Sequence, residues 1–313
     1  MISPDDRGLF QKAWETARRW HGDDFTFYLP GMIKYGDQRG QYPAISITGD
    51  KCEMMCEHCR GRLLQPMIKV TGPDDLLEKC RRLSEKGSVG VLLSGGSDLE
   101  GRLPWDRFYE AIHKVKAETG LFISAHTGFP DTKTARALKE AGVDQALIDV
   151  MGDEDTARRV YHLDRFEKVL ESLEGISESG IQLVPHVVTG LLYGQVKAES
   201  SALEIIKPHR PSALVIVVLT PLKGTPMAHV STPSPMEVAR LIASARIMMP
   251  EVPISLGCER PRNKAGSALE KLAILAGANR MAVWSEEAIG EARNLGLRPR
   301  FQPTCCSLDY PKG

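Results

Sequence analysis

The stretch GDKCEMMCEHCR, residues 49–60, follows a strand-like apolar run at residues 44–48. Its cysteines, Cys52, Cys56 and Cys59, are spaced C-x3-C-x2-C on one loop. Thiolates are soft ligands that suit iron–sulfur clusters, and three of them on one turn can each bind a different iron of a four-iron, four-sulfur cubane. The spacing therefore predicts a cluster whose fourth iron has no protein ligand nearby.

This loop resembles the signature of the radical S-adenosylmethionine superfamily, which reads C-x3-C-x-aromatic-C, with His58 in the aromatic position. The resemblance implies that the open iron chelates the amino and carboxylate groups of S-adenosylmethionine, and that His58 lies beside the adenine. It also implies an adenosyl radical, formed with an electron from a donor such as ferredoxin or flavodoxin. Two alternatives stay open. One is a zinc site, although zinc pairs usually read C-x2-C with further ligands downstream; the other is a set of inert core cysteines.

The composition is that of a globular protein, with 313 residues of which 42% are hydrophobic, enough for one large core or two ordinary domains. Equal numbers of acidic and basic residues give a formal net charge of zero, so nothing favours nucleic acid or a membrane surface as a partner. The N-terminus lacks the apolar core of a signal peptide, and no stretch approaches a membrane span, so we expect a cytoplasmic protein. Seven cysteines favour reduced thiols and metal ligation over disulfides.

The order of apolar runs indicates the fold. A first helix is predicted at residues 4–21, and from residue 42 onward short β-branched runs alternate with amphipathic helical patterns. The predicted strands are residues 44–48, 89–94, 121–125, 145–150, 181–187, 213–219, 253–256 and 280–283. The predicted helices after them are residues 73–86, 104–118, 132–141, 165–179, 234–248 and 265–276.

Eight such units predict an α/β fold, a parallel βα barrel of the TIM type that is complete or nearly complete. An open doubly wound sheet is the alternative. The predicted organisation is an N-terminal helical extension (residues 1–41), the barrel (42–290), and a C-terminal tail (291–313) that lies over the barrel mouth.

Paired glycines follow the second predicted strand, where the loops of a βα barrel meet at one mouth. Gly95 and Gly96 let the backbone approach a ligand closely, and carbonyl groups there can accept hydrogen bonds from the methionine ammonium group. Together with Ser97, they resemble the G-G-E motif of the superfamily, with serine in place of glutamate. A simple glycine turn before a helix is the alternative.

Polar residues also end the next predicted strands. Ser124 and His126 end the third, Asp149 ends the fourth, Arg159 follows on a short helix, and His186 lies in the fifth. A carboxylate suits ribose hydroxyls and a guanidinium suits the methionine carboxylate, so we expect Asp149 and Arg159 to bind the nucleotide, with Ser124 and His186 beside it. Surface ion pairs, strand-end caps and a hydrogen-bonded core histidine are the alternatives.

Two later loops, TGLLYG at residues 189–194 and LTPLKGTPM at 219–227, look like segments that wall the adenosyl pocket and the substrate cavity in biotin synthase and its relatives. Ordinary turn chemistry is the alternative. With the three-cysteine loop, the resemblance runs in the same order from about residue 42 to residue 284.

A second set of cysteines lies late in the chain. Cys258 ends the seventh predicted strand, and Cys305 and Cys306 lie near the C-terminus. If the tail folds back over the mouth, these thiols could hold a second iron–sulfur cluster, with Ser307, Arg260 or an external ligand at the fourth iron. Free or surface thiols are the alternative.

The two cysteine sets together are similar to those of lipoyl synthases, above all the two-component enzymes with C-E-x-x-C-x-H-C loops and cysteines near the C-terminus. That resemblance implies transfer of sulfur from the second cluster to an unactivated carbon of an octanoyl chain. The implied partners are an octanoylated carrier protein and a second radical enzyme. One alternative is a single-cluster isomerase or cofactor maturase, resembling methylornithine synthase or the hydrogenase maturase. A non-catalytic iron–sulfur or zinc scaffold is the other.

Overall fold

The computed structural model describes residues 3–308; residues 1–2 and 309–313 of the predicted terminal segments lie outside it. Helix α1 (Pro4–His21) has the predicted bounds. It begins there because the Ser3 side chain accepts a hydrogen bond from the Asp6 backbone N–H and Pro4 occupies the first turn. Within residues 3–308, no helix has the length and apolar character needed to cross a lipid bilayer.

The remaining elements alternate between strands and helices. In chain order they are β1 (Asp24–Tyr28), β2 (Lys34–Tyr35), β3 (Gln38–Arg39), β4 (Ala44–Ser46), β5 (Ile68–Lys69), α2 (Pro73–Glu85), β6 (Gly90–Ser94), α3 (Tyr109–Thr119), β7 (Phe122–His126), α4 (Thr132–Ala141), β8 (Gln145–Asp149), α5 (Glu154–Tyr161), α6 (Glu167–Ser179), β9 (Gln182–Thr189), α7 (Glu199–Ile206), β10 (Leu214–Val218), α8 (Pro235–Met248), β11 (Ile254–Leu256), α9 (Lys264–Leu275), β12 (Arg280–Ala282), α10 (Glu286–Asn294) and β13 (Arg298–Gln302). All eight predicted strands are present as β4 and β6 to β12.

Eleven of these strands form one curled sheet in the order β13-β1-β12-β11-β10-β9-β8-β7-β6-β4-β5, and every neighbouring pair is parallel. The α/β parallel fold is therefore confirmed. A complete TIM barrel is not, because the sheet is a half-barrel whose edges are β13 and β5.

The segment between β1 and β4, residues 29–43, lacks a continuous ladder with the sheet. It contains the separate hairpin of β2 and β3 and makes only isolated backbone hydrogen bonds with sheet strands, such as the one of 2.8 Å from Leu29 N–H to the Gln302 carbonyl. One backbone hydrogen bond of 2.6 Å, from Gln41 N–H to the Pro303 carbonyl, links this segment to the chain that follows β13. An irregular segment thus stands where a complete barrel would have a continuous ladder.

The C-terminal segment lies inside the sheet, which corrects the prediction of a tail over the mouth. Cys306 packs against lumen residues of the sheet, which include Leu147 and Val184. The Ser307 carbonyl accepts a hydrogen bond of 3.1 Å from Gln145, the first residue of β8. Leu308 is 1% exposed. The tail enters the lumen towards the N-terminal ends of the strands because its apolar residues complete that part of the core.

The division into three parts at residues 41 and 290 remains a prediction. The structure adds one fact about it: β1 and β13, which come from the two outer parts, are both strands of the common sheet.

Candidate active site

The loop after β4 carries the first cysteine set and is fixed by the loop after β6. The backbone N–H groups of Glu53 and Met54 both donate to the Ser97 carbonyl, at 2.8 and 3.3 Å. Gly96 lies directly against this loop, since a Cβ atom there would be 2.0 Å from the Lys51 carbonyl oxygen and 2.5 Å from Cys52 Cα. Only a residue without a side chain fits this position.

The three thiols lie on consecutive tight turns. The N–H groups of Cys59 and Arg60 both donate to the Cys56 carbonyl, at 3.2 and 2.9 Å. Met55 and Arg60 have φ angles of 44° and 46°, in the left-handed region. Cys56 is buried, whereas Cys52 and Cys59 are partly exposed.

The first cysteine set favours thiolate chemistry. The hydrogen bond with Cys56 lowers the pKa of Cys59 to about 4 and raises the pKa of Cys56. A stabilised thiolate beside further thiols is the donor set that iron–sulfur clusters require. Across residues 3–308, no three His, Cys, Asp or Glu side chains converge on one metal ion. Cubane ligands each bind a different iron and need not converge in that way.

His58 is half-buried between the cysteines and has one buried ring nitrogen without a partner within residues 3–308. Its Nδ1 atom has no hydrogen-bond partner among the described residues, and its ring lies 5.3 Å from that of Tyr161 on α5. Burial opposes protonation, but the neighbouring Cys59 raises the pKa of His58. A buried nitrogen without a partner is costly unless a ligand satisfies it, so His58 fits the predicted place beside an adenine.

Asp149 is the centre of a second polar group, at the C-terminal ends of β7, β8 and β9. One carboxylate oxygen accepts a hydrogen bond of 2.7 Å from the Tyr161 hydroxyl, and the other lies 3.6 Å from His126 Nε2. The rings of His126 and His186 are 5.4 Å apart. Burial opposes ionisation of Asp149, but His126 and His186 hold its pKa below the ordinary value. Burial, aided by His126, lowers the pKa of His186 to about 4.

Two residues of the predicted nucleotide site lie apart from Asp149. Ser124 lies deep in the lumen, where its hydroxyl is 2.7 Å from the Tyr42 hydroxyl and also donates to Gln145. Arg159 lies on the rim, 51% exposed, with its guanidinium on Asp155 and over the Tyr193 ring. Gly95, by contrast, lies beside the cluster loop, where a Cβ atom would be 3.0 Å from the Thr48 hydroxyl. These assignments therefore remain predictions.

The sequence did not predict the contacts that Tyr161 and His162 make with the cluster loop. Both belong to the C-terminal turn of α5, and no motif marks them. Their contacts with the cluster loop depend on how α5 packs, which the spacing of cysteines does not reveal.

The second cysteine set spans different degrees of burial: Cys306 packs among lumen residues, Cys305 is partly exposed and Cys258 is exposed. Cys258 follows β11, and the surrounding protein raises the pKa of its thiol to about 11. The neighbouring Cys306 thiol lowers the pKa of Cys305 to about 6, and the pKa of Cys306 is raised in turn. These shifts include mutual effects among all three thiols, which places them within electrostatic range of one another.

The polar groups near these thiols differ in whether they are free to bind a ligand. The hydroxyl oxygens of Ser255 and Ser307 are buried without a partner among the described residues. Arg260, predicted as a possible fourth ligand, is instead held by an ion pair: its guanidinium binds Glu270 at 2.7 Å and donates to the backbone carbonyls of Gly257 and Ala282. If Arg260 turned towards the lumen, the buried carboxylate of Glu270 would lose its positively charged partner, which is costly. We therefore exclude Arg260 as a ligand.

A groove of about 820 Å³ opens beside the cluster loop. It runs between the loops after β4, β6 and β7, and its walls include Cys52, Gly96 and Trp105. Cys52 of the first cysteine set is therefore accessible from this groove.

Comparisons with known proteins agree with this geometry. The profile of the Radical SAM superfamily matches residues 46–206, and that of the Biotin and Thiamin Synthesis associated domain matches residues 215–302. Biotin synthase from Neorickettsia sennetsu is 26% identical over 251 residues, which cover 75% of this chain and 73% of the relative. Biotin synthase from Methylococcus capsulatus is 26% identical over 246 residues, with 75% and 73% coverage.

Solved structures share the fold. Methylornithine synthase superposes with a TM-score of 0.67 at 16% identity, over 96% of this chain and 91% of the other. The FeFe-hydrogenase maturase from Carboxydothermus hydrogenoformans gives a TM-score of 0.68 at 17% identity, over 95% of this chain and 72% of the other.

Proposed function

Because the chain belongs to the radical SAM superfamily, and within it to the biotin synthase-like group, we propose that it inserts sulfur into a protein-bound octanoyl chain as one component of a two-enzyme lipoyl synthase. Membership brings a four-iron, four-sulfur cluster, S-adenosylmethionine and an external reductant. One observation supports the proposal of sulfur transfer: the thiols of Cys258, Cys305 and Cys306 lie close enough together to shift one another's pKa values.

In this proposal Cys52, Cys56 and Cys59 hold the first cluster. When bound there, the cluster supplies the electron that cleaves S-adenosylmethionine to the radical that abstracts hydrogen. The Nδ1 of His58 would bind the adenine, the carboxylate of Asp149 would accept hydrogen bonds from the ribose, and the carbonyl groups of Gly95 and Gly96 would accept them from the methionine ammonium group.

The lumen is lined with apolar side chains that surround the tail. Leu147, Val184 and Val217 are buried and pack in one cluster with Cys306. An apolar lining around the second thiol set would exclude water and hold reactants in place, which is what the protein contributes when the cofactor supplies the radical.

The second thiol set would hold the sulfur-donating cluster. The lowered pKa of Cys305 favours the thiolate that binds iron. The buried hydroxyls of Ser255 and Ser307 affect the pKa values of Cys306 and Cys305, respectively, so both hydroxyls lie beside the second thiol set.

A second candidate function is a single-cluster isomerase or cofactor maturase. The polar group formed by His126, Asp149 and His186 favours it, because these side chains suit a substrate with polar groups better than an octanoyl chain. The two candidates differ in the number of clusters.

Iron and sulfide analysis after anaerobic reconstitution tests the proposal. We expect about eight iron atoms per wild-type chain and about four in a variant with Cys258, Cys305 and Cys306 all replaced by Ala, because each cubane holds four. Cys80→Ala is the matched control, since Cys80 is buried in the core and belongs to neither set. Equal iron in the wild type and the triple variant would refute the second cluster.

Mass spectrometry of an octanoylated carrier protein or peptide then tests the substrate. We expect sulfur addition with the wild type and its partner enzyme, and none with the triple variant. Formation of 5'-deoxyadenosine without any sulfur product, in a chain holding four iron atoms, would favour the second candidate.

A further inference from the structure

The C-terminal turn of α5 contacts the cluster loop at three consecutive residues. The Val160 carbonyl accepts a hydrogen bond of 2.9 Å from Glu57 N–H. The Tyr161 ring lies 5.3 Å from the His58 ring. The third residue, His162, makes two contacts with its side chain. The helix end is therefore a continuous docking surface for the loop that carries the thiols.

His162 spans the loop from one side of Cys56 to the other. Its Nδ1 lies 3.0 Å from the Met54 carbonyl oxygen, and its Nε2 lies 2.9 Å from Glu57 Oε1. Glu57 Oε1 also accepts a hydrogen bond of 2.6 Å from Arg60. The ring therefore bridges two points of the loop that lie on either side of Cys56.

The backbone of His162 supports a specific role. It caps α5 in the left-handed conformation, with φ 58° and ψ 26°, and its N–H donates to the Ala157 carbonyl. Glycine or asparagine is the usual residue there, since other side chains cost energy in this conformation. A histidine at this position indicates that its side chain has a use that outweighs the strain.

We propose that His162 is a positioning residue for the first cluster, because it ties Met54 and Glu57 to α5 and so fixes the thiol of Cys56 between them. The role acts through the loop and not by ligation, since His162 contacts neither Cys52, Cys56 nor Cys59 through a hydrogen bond given by the structure. The inference goes beyond the proposed sulfur insertion and holds for either candidate substrate.

His162→Gly distinguishes the contribution of the side chain from that of the backbone conformation. Glycine removes both ring contacts but favours the left-handed cap, so the unfolding temperature of the apo-protein should stay unchanged or rise. Cluster retention should fall. In the background that lacks Cys258, Cys305 and Cys306, so that only first-set iron is counted, we expect iron transfer to ferrozine to be about tenfold faster than with His162 present.

Three matched variants complete the test. Glu57→Ala removes the same contact from the loop side and should also release iron faster, whereas Glu57→Gln keeps an acceptor for His162 and should lie between Glu57→Ala and wild type. Arg210→Gly changes another exposed left-handed residue, with φ 47°, far from the cluster and should leave iron release unchanged.

Electron paramagnetic resonance reports on the surroundings of the reduced cluster, and its spectrum does not depend on the stability of the fold. We expect the spectrum of the reduced cluster to differ from wild type in His162→Gly, and to be unchanged in Arg210→Gly. Wild-type iron release and a wild-type spectrum in His162→Gly would overturn the proposal. If His162→Gly does not fold, Glu57→Ala decides in its place: wild-type release there would refute the contact.

Discussion

Gly96 shows how strictly a single residue is constrained beside the cluster loop. Its missing side chain leaves room for the Lys51 carbonyl and for Cys52, and any Cβ atom would overlap both. The overlap involves backbone atoms, which cannot rotate away as a flexible side chain would.

Gly96→Ala is therefore expected to displace the first cluster. Overpacking of this kind costs about 1–3 kcal/mol, and here the loop that carries Cys52 must move to relieve it. We expect reconstituted Gly96→Ala to bind less iron than wild type, measured as iron per chain and as cluster absorbance. Gly95→Ala is the control, because its nearest contacts, at 3.0 and 3.2 Å, are side-chain atoms of Thr48 and Ile47. Equal iron loss in both variants would contradict the argument.

At the residue scale, the sequence predicts the cluster ligands better than it predicts the residues that hold the cluster loop in place. The spacing of Cys52, Cys56 and Cys59 indicates a common site because it acts within one loop. The contacts of Tyr161 and His162 join residues about a hundred positions apart, and they exist only because α5 packs on the loop. Local sequence carries no sign of such a contact.

The junction of α1 with α8 illustrates chemistry at the scale of elements. Arg246 on α8 is fully buried and donates to backbone carbonyls that include those of Gly277 and Val252. It also contacts the ring of His21, the last residue of α1, at 2.6 Å. Burial, and next the charge of Arg246, lower the pKa of His21 to about 4 from its ordinary 6.5.

This lowered pKa predicts a loss of stability in acid. The unfolded chain protonates His21 below about 6.5, whereas the native state resists protonation until about 4. The free energy of unfolding therefore falls as the pH drops through that window, by at most about 3 kcal/mol from this group.

His21→Gln checks the linkage, since glutamine retains an acceptor for Arg246 but does not titrate. We expect urea unfolding of the apo-protein to show a smaller difference between pH 7 and pH 4.5 in this variant than in wild type. The same pH dependence in both proteins would show that His21 contributes nothing in that window.

The elements that sequence predicted and those it missed differ in character. The runs that became β6 to β10 are short, apolar and flanked by amphipathic helices, so their pattern alone indicates βα units. β13 contains Pro299 and two arginines on an edge strand, and β5 has only two residues. Edge strands of this kind lack the apolar pattern on which the prediction depends.

At the scale of the whole molecule, closure of the sheet could not be read from the sequence. Eight βα units predict a complete or nearly complete barrel, but closure depends on whether the first and last strands pair. Here β1 joins β12 and β13, and residues 29–43 make only isolated backbone hydrogen bonds with the sheet. Such pairing is non-local, so neither strand carries a local sign of it. The same holds for the tail, whose apolar residues are consistent with either end of the lumen.

Leu308→Asp tests whether the tail in the lumen completes the second thiol site. Leu308 is 1% exposed, and its N–H donates to the Cys305 carbonyl at 3.1 Å. A buried carboxylate without a partner costs several kcal/mol, so the tail should leave the lumen and carry Cys305 and Cys306 with it. We expect iron to fall from about eight to about four atoms per chain, while cleavage of S-adenosylmethionine persists because the first cluster remains.

Leu99→Asp is the control, since Leu99 is 69% exposed and a charge there costs little. Undiminished iron in a folded Leu308→Asp protein would mean that the thiols of the tail hold no cluster. The C-terminal segment would then serve only to complete the core.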